Sequence, residues 1–141
     1  PVTIRLLFML GFIAVLGACA EAPASSEKPT RSPKSFLVFF DFDKASLTPR
    51  AIDIVKRAAS AAKAGEDATV ICTGHTDTAG SADYNMALSL RRANNVKNAL
   101  VEEGVPVTAI RVVGKGETSL LVKTPDSVRE PQNRRVEILI Q

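Results

Sequence analysis

The chain has 141 residues, enough for one domain of ordinary size and too few for two. Its 18 basic and 15 acidic residues leave a formal charge of +3, too small an excess to attract nucleic acid or anionic lipid in general. With two cysteines and a single histidine, the chain is not expected to form a disulfide framework or a histidine-rich metal site. We therefore expect no metal, no cofactor and no nucleic-acid partner.

Residues 1–18 have the pattern of an export signal. Arg5 precedes a thirteen-residue apolar run, residues 6–18, which is short for a membrane span and typical of a signal-peptide core. The run leads through Leu-Gly-Ala into Cys19, and this string resembles the lipobox of bacterial lipoproteins. The resemblance implies that Cys19 carries acyl chains such as palmitate, and that Ala20 after it favours the outer membrane, periplasmic face. The alternative is an ordinary secretory signal with an incidental cysteine.

The residues after this cysteine cannot form a core. Residues 20–35 are rich in Pro, Ser, Ala and charged side chains, a composition typical of a flexible tether. We therefore divide the chain into a signal peptide at 1–18, a lipidated cysteine with its tether at 19–35, and a folded domain at 36–141.

Apolar periodicity and capping signals within this domain predict four strands and two helices. In chain order these are a strand at 36–40, a helix from the Thr48 cap to about 64, a strand at 68–73, a helix from the Ser81 cap to about 103, and strands at 110–113 and 136–140. Helical crossovers place the early strands parallel or nearly so, and the last strand is expected to add antiparallel. The predicted fold is α+β, a two-layer β-α-β-α-β-β sandwich with the helices on one face of a mixed four-stranded sheet.

The second helix breaks its own apolar pattern. At about 100° per residue, Asn85, Ser89 and Arg92 fall within the same arc as the apolar residues, so they are expected to be buried. Buried polar groups need partners, and a buried guanidinium needs a charge or acceptors to face. The turn before this helix, residues 74–80, is flanked by glycines that allow unusual backbone conformations, and it offers Asp77.

A carboxylate and a guanidinium near a helix N-terminus suit a zwitterion. Asp77 can hold an ammonium group while Arg92 takes a carboxylate in a bidentate fork, so the head group of an amino acid is the expected ligand. The competing interpretation is a structural ion pair between Asp77 and Arg92 themselves. On the first interpretation, replacing either residue by alanine is expected to abolish binding and leave the fold intact.

The strings GHTDTAG, YNMALSLRRANNV, GKGE and NRRVEI together resemble the C-terminal domain of the outer membrane protein A family, over residues 36–141. That family includes peptidoglycan-associated lipoproteins and flagellar motor anchors. The helix pattern N-x-x-L-S-x-x-R-A-x-x-V is matched at every fixed position. The resemblance implies an outer membrane-anchored protein that binds peptidoglycan without covalent attachment, through the diaminopimelate of uncrosslinked stem peptides.

By motif position, the resemblance assigns roles to eight residues. Asp77 and Arg92 are the main ligand pair. The supporting residues are Thr76 and Asn85, which shape the loop, Leu88 and Ser89 beside the pocket, and Asp43 and Arg135 as secondary candidates near the same edge. For Arg134 and Arg135, a solvated strand start is the alternative.

Two further hypotheses stay open. Catalysis would need His75 with Asp77, but no Ser or Cys nucleophile has a matching base, so we expect no enzyme and a structural role for His75 in its turn. Cys72 is interpreted as a small buried hydrophobe. The second hypothesis keeps the fold and changes the partner, to a periplasmic module that binds other envelope proteins.

Overall fold

A computed structural model of the protein describes residues 31–141. The elements are β1 (Lys34–Phe39), α1 (Pro49–Lys63), β2 (Val70–Gly74), α2 (Ala82–Glu102), β3 (Ile110–Gly114) and β4 (Arg135–Ile140). Single 3₁₀ turns at Val107–Ala109 and Pro131–Asn133 precede β3 and β4. The predicted α+β class and element order are confirmed. The predicted signal peptide, Cys19 and the tether up to residue 30 lie outside the described residues.

The four strands form one mixed sheet in the order β1-β4-β2-β3. β4 runs antiparallel to both of its neighbours, and β2 pairs parallel with β3. The last strand therefore lies between the first two. In this register the start of β4 faces the ends of β1 and β2, because Arg135 is opposite Phe39 and Val136 is opposite Gly74. The loops that follow β1, β2 and β3 thus meet the loop that enters β4 at one edge of the sheet.

Both helices begin at the predicted caps. The Thr48 hydroxyl accepts a hydrogen bond from the Ala51 amide at 3.1 Å, and Pro49 takes the first helical position. The Ser81 hydroxyl accepts from the Tyr84 amide at 3.2 Å and starts α2 at the edge where the loops meet. This cap fixes the orientation of the helix that carries the predicted ligand residues.

The helices cover one face of the sheet, and the core lies between the two layers. The fully buried members of this core come from both helices and three of the strands: Val38, Val55, Ala58, Ala59, Val70, Cys72, Ala93, Val96, Leu100, Val136, Ile138 and Ile140. Cys72 is a free buried thiol, as predicted, and burial raises its pKa to about 12, so it stays protonated at neutral pH.

Two details differ from the predictions. β1 begins at Lys34, so residues 34 and 35, assigned above to the tether, pair with the end of β4. An edge strand can carry polar, exposed side chains, because its backbone still pairs with the neighbouring strand. From composition alone, such residues are predicted to be a linker. In α1, the apolar spacing of Ile52, Val55, Ala59 and Ala62 predicts one buried face, but Ile52 is 39% exposed. The buried arc is centred on Ala51, Val55 and Ala62, and Ile52 lies at its margin.

Candidate functional site

Arg92 lies at the centre of the edge of the sheet where the loops meet, which we call the loop-bearing edge. Its side chain is fully buried, as the helix pattern predicted, and it spans two loops. Nε donates to the Lys44 carbonyl at 2.8 Å, Nη1 to the His75 carbonyl at 3.0 Å and Nη2 to the Asp41 carbonyl at 3.2 Å. The guanidinium carbon also lies 5.2 Å from the centre of the Phe40 ring. Arg92 therefore ties the β1–α1 loop to the end of β2.

Arg92 keeps its charge in this buried position. Burial lowers the pKa of Arg92 to about 10, and the negative charge of Asp77 opposes that shift. A pKa of about 10 leaves the guanidinium protonated at neutral pH. The edge thus contains a buried cation whose direct partners are three neutral carbonyl groups.

Asp77 is held by a different set of partners. It is 3% exposed, and its Oδ1 accepts from the Ala79 amide at 3.2 Å. Its Oδ2 accepts from the Glu130 amide at 3.2 Å and forms an ion pair with Arg134 Nη1, also at 3.2 Å. The proposed direct ion pair between Asp77 and Arg92 is therefore wrong for the described residues, because each charged group is held by other partners.

Asn85 and Ser89 connect α2 to the loop after β3. Asn85 Nδ2 donates to the Glu117 carboxylate at 2.7 Å and to the Asp77 carbonyl at 3.3 Å. The Ser89 hydroxyl donates to the Met86 carbonyl at 2.7 Å and accepts from the Gly116 amide at 2.9 Å. Both side chains are buried, as predicted. They hold the helix, the Asp77 turn and the β3–β4 loop together.

Thr76 and Leu88 complete the predicted cluster. The Thr76 hydroxyl donates to the Asp77 carbonyl at 2.8 Å, and the Thr76 amide donates to the Gly116 carbonyl at 2.9 Å. Leu88 is 4% exposed. The structure therefore gathers Thr76, Asp77, Asn85, Ser89 and Arg92 at one edge, as the motif positions predicted; their ligand roles stay predictions.

The two secondary candidates make no hydrogen bond with the side chains of this cluster within residues 31–141. Asp43 is exposed, has a left-handed backbone (φ 56°) and accepts a hydrogen bond from the Tyr84 hydroxyl, which raises the pKa of Tyr84. Arg135 is 3% exposed, and its Nε and Nη2 donate to Glu137 Oε1 at 3.0 and 2.7 Å. The solvated alternative is wrong for Arg135, which is buried against a carboxylate.

Arg134 is a partner of Asp77 that the sequence did not identify. Its Nε donates to the Phe40 carbonyl at 3.0 Å while Nη1 donates to Asp77. Its side chain is 13% exposed, so the solvated alternative is wrong here too. The available signal was the arginine doublet at positions 134 and 135, just before the predicted last strand.

Thr78 and Asn133 were also missed, and they order the long loop between β3 and β4. The Thr78 hydroxyl donates to the Pro125 carbonyl at 2.7 Å and accepts from the Val128 amide at 3.0 Å. The Asn133 side chain exchanges two 2.8 Å hydrogen bonds with the Val122 backbone. Nothing in the local sequence marks these contacts, because Thr78 pairs with residues about fifty positions away.

His75 lies buried under this loop, and its ring is 3.7 Å from the Glu137 carboxylate. Within residues 31–141 neither ring nitrogen has a hydrogen-bond partner. Burial lowers the pKa of His75 below 6.5, the positive charge of Arg135 lowers it further, and Glu137 opposes both. The side chain is therefore neutral at pH 7, in keeping with a structural part of the turn.

The lowered pKa of His75 makes stability depend on pH. Because the unfolded chain binds the proton more readily, the full contribution of His75 is present above about pH 6.5 and declines as the pH falls through that value toward the folded-state pKa. We expect the free energy of unfolding to fall less between pH 7.5 and 5 in His75→Leu than in the unchanged protein, measured by urea denaturation. Equal falls in both proteins would contradict this assignment.

A metal site and a membrane-spanning helix were looked for among the described residues. Between residues 31 and 141 no group of three or more His, Cys, Asp and Glu side chains is placed to hold a metal ion. None of the helices in that region is long and apolar enough to cross a membrane. The edge combines buried opposite charges and amide groups, a combination suited to holding a charged ligand by hydrogen bonds.

The fold and this edge define a class: a two-layer α+β domain with buried side chains of opposite charge where its loops meet. Residues 39–134 match the model of the OmpA family. The chain belongs to this family, and the predicted resemblance is confirmed.

Three relatives illustrate the similarity. An outer membrane protein of Gluconacetobacter diazotrophicus is 44% identical over 76% of this chain, although the match spans only 30% of that relative. The peptidoglycan-associated lipoprotein of Pseudomonas aeruginosa is 34% identical over 91% of this chain and 74% of its own length. The crystal structure of the peptidoglycan-associated lipoprotein from Burkholderia pseudomallei aligns with a TM-score of 0.69 at 30% identity, over 74% of this chain and 89% of that one.

Proposed function

We propose that this domain binds peptidoglycan without covalent attachment, through the diaminopimelate of uncrosslinked stem peptides. The observation that carries the proposal is that Asp77 and Arg92 are both buried at the loop-bearing edge yet are not paired with each other. Opposite charges held separately suit a ligand that carries an ammonium and a carboxylate on one carbon. The names of the relatives from P. aeruginosa and B. pseudomallei give independent support.

In this proposal the two residues act on different ends of the amino-acid head. Asp77 receives the ammonium group, since each carboxylate oxygen can accept more than one hydrogen bond. Arg92 has five N–H donors, of which three are used on carbonyls, so two remain for a ligand carboxylate. Because Arg92 is fully covered, the ligand enters when the exposed turn from Asp41 to Lys44, which contacts Arg92 through its carbonyls, moves aside.

We further propose that the domain is held at the periplasmic face of the outer membrane by lipid on Cys19, with the residues after it as a tether. Support comes from the lipobox-like string and from the relatives named as outer membrane proteins and lipoproteins. The domain would then link the membrane to the cell wall without chemical change to either.

The absence of catalysis can be tested directly. Incubation of the protein with purified sacculi should release no soluble fragments.

Replacing Asp77 by asparagine tests the proposed site. Loss of the charge removes the partner of the ammonium group, and a charge-assisted hydrogen bond of this kind corresponds to a loss of affinity on the order of tenfold or more. We expect Asp77→Asn to fail to co-sediment with diaminopimelate-type sacculi at concentrations where the unchanged protein is bound. The control is Asp83→Asn, the same chemical change at an exposed position of α2.

Two outcomes would count against the proposal. Full binding by a folded Asp77→Asn protein would remove Asp77 from the site. Loss of envelope protein complexes in that variant, with sacculus binding unchanged, would favour a protein-interaction module of the same fold.

A further inference from the structure

A hollow lies beside the charged cluster and shares one side chain with it. It has a volume of about 430 Å³ and is formed by the end of β1, the start of α1 and the 3₁₀ turn before β4. Its lining residues are Phe39, Phe40, Asp41, Thr48, Pro131, Gln132 and Arg134. The shared side chain is Arg134, which lines the hollow and also pairs with Asp77. We call this cavity the Arg134 hollow.

Arg134 lines the hollow and has donor capacity left. Its Nε is used on the Phe40 carbonyl and its Nη1 on Asp77. No hydrogen bond of its Nη2 is seen within residues 31–141, and the side chain is 13% exposed. An arginine that lines a cavity with aromatic and proline walls and has an N–H group to spare is suited to receive an anion there.

The pairing of Arg134 also favours an anion in the hollow. The carboxylate that Arg134 contacts is that of Asp77, at 3.2 Å. When a ligand ammonium occupies Asp77, Arg134 has to share this carboxylate with the ligand. A second ligand carboxylate in the hollow would then give Arg134 an anionic partner of its own.

We propose that the Arg134 hollow is a second subsite, which takes the free carboxylate of the residue next to the amino-acid head in the same peptide. The proposal rests on the function proposed above and specifies its ligand: an acidic residue joined to the diaminopimelate. Because a single guanidinium contacts both Asp77 and the hollow, the two ligand groups need to be no further apart than neighbouring residues of a peptide. The aromatic walls then cover the uncharged atoms of that residue.

Three small ligands test the subsite by calorimetric titration of the folded domain. They are meso-diaminopimelate, its γ-D-glutamyl dipeptide, and the same dipeptide with the glutamyl α-carboxylate converted to an amide. The dipeptide is expected to bind about tenfold more tightly than its amide, because the two differ only in the charge offered to Arg134. The amide is expected to bind about as tightly as diaminopimelate alone.

A substitution in the Arg134 hollow tests whether the tenfold gain in affinity arises there. Gln132→Glu places a like charge beside the ligand carboxylate and is expected to remove most of the tenfold gain, with the affinity for diaminopimelate unchanged. Asn94→Asp is the control, because it makes the same chemical change at an exposed position of α2 outside the hollow, and it should alter the affinity for each ligand by less than about twofold. Equal affinity of the dipeptide and its amide would overturn the subsite and leave the proposed function standing. Failure of all three ligands to bind would overturn both.

Discussion

Replacing Arg92 by methionine is expected to lower the free energy of unfolding by about 2 kcal/mol. The methionine side chain fills a similar volume but donates no hydrogen bond, so the carbonyls of Lys44 and His75 lose this donor, while that of Asp41 keeps the Lys44 amide. The loss costs about 1 kcal/mol or more at the buried His75 and less in the exposed turn, where water can replace the donor. The β1–α1 loop is then no longer tied to the end of β2.

The neighbouring arginine provides the control. Arg91 is exposed and rests against the Tyr84 ring at 5.7 Å, so Arg91→Met removes the same charge at little cost, within about 0.5 kcal/mol. Urea denaturation of both variants at pH 7.5 measures the difference. Similar midpoints in the two variants would show that the three carbonyl contacts contribute little to stability.

This structural role changes one expectation from the sequence. Replacing Arg92 by alanine was expected to abolish binding with the fold intact, but its contacts show that the same change removes the tie between two loops. Loss of binding in an Arg92 variant would therefore not separate a ligand contact from a loosened loop. Asp77→Asn separates them better, because Asp77 lies in a turn that is also held by Thr76 and Thr78.

The sequence was most informative where one residue type conflicted with its position in a regular element. Asn85, Ser89 and Arg92 stand in the apolar arc of α2, and helical periodicity alone was enough to predict their burial. The caps at Thr48 and Ser81 were predicted for a similar reason, since a single side chain and the next few amides determine them.

Contacts between distant parts of the chain were not predictable in this way. The position of β4 between β1 and β2 follows from pairing residues about sixty to one hundred positions apart, and no local pattern encodes it. That position brings Arg134 to Asp77 and excludes the direct ion pair with Arg92. The sequence thus identified Asp77 and Arg92 but not Arg134, the ion-pair partner of Asp77.

The two glycines that flank the Asp77 turn also differ in whether the sequence could predict their role. Both were expected to provide backbone freedom, and Gly80 does so, with a φ of +97° that few other residues adopt. Gly74 does not have a positive φ. Its place is the end of β2, where the sheet lies directly against the backbone of α2 at Ser89. The reason for this glycine is the close approach of two elements, which only the packed structure reveals.

Gly74→Ala is accordingly expected to be strongly destabilising, by about 3 kcal/mol. A methyl group at Gly74 would overlap the Ser89 carbonyl oxygen and lie 2.7 Å from its carbonyl carbon. These are backbone atoms of the middle of a helix, so they cannot rotate away as a side chain could. Relief of the overlap requires α2 to move away from the sheet, at the cost of packing at Ala93 and Val96, both fully buried against it.

The same movement would also displace the hydroxyl of Ser89, which accepts from the Gly116 amide, so sacculus binding should weaken together with stability. Gly65→Ala is the matched control. There the added methyl would overlap the end of the Arg31 side chain and lie at an ordinary 3.5 Å from the Ala68 methyl. The Arg31 side chain can rotate away at the loss of its hydrogen bond to the Ala61 carbonyl, so a cost of about 1 kcal/mol is expected. Urea denaturation of the two alanine variants measures the contrast. Equal costs would mean that the approach of β2 to α2 is looser than the backbone positions indicate, and the Asp77 turn would then need another source of rigidity.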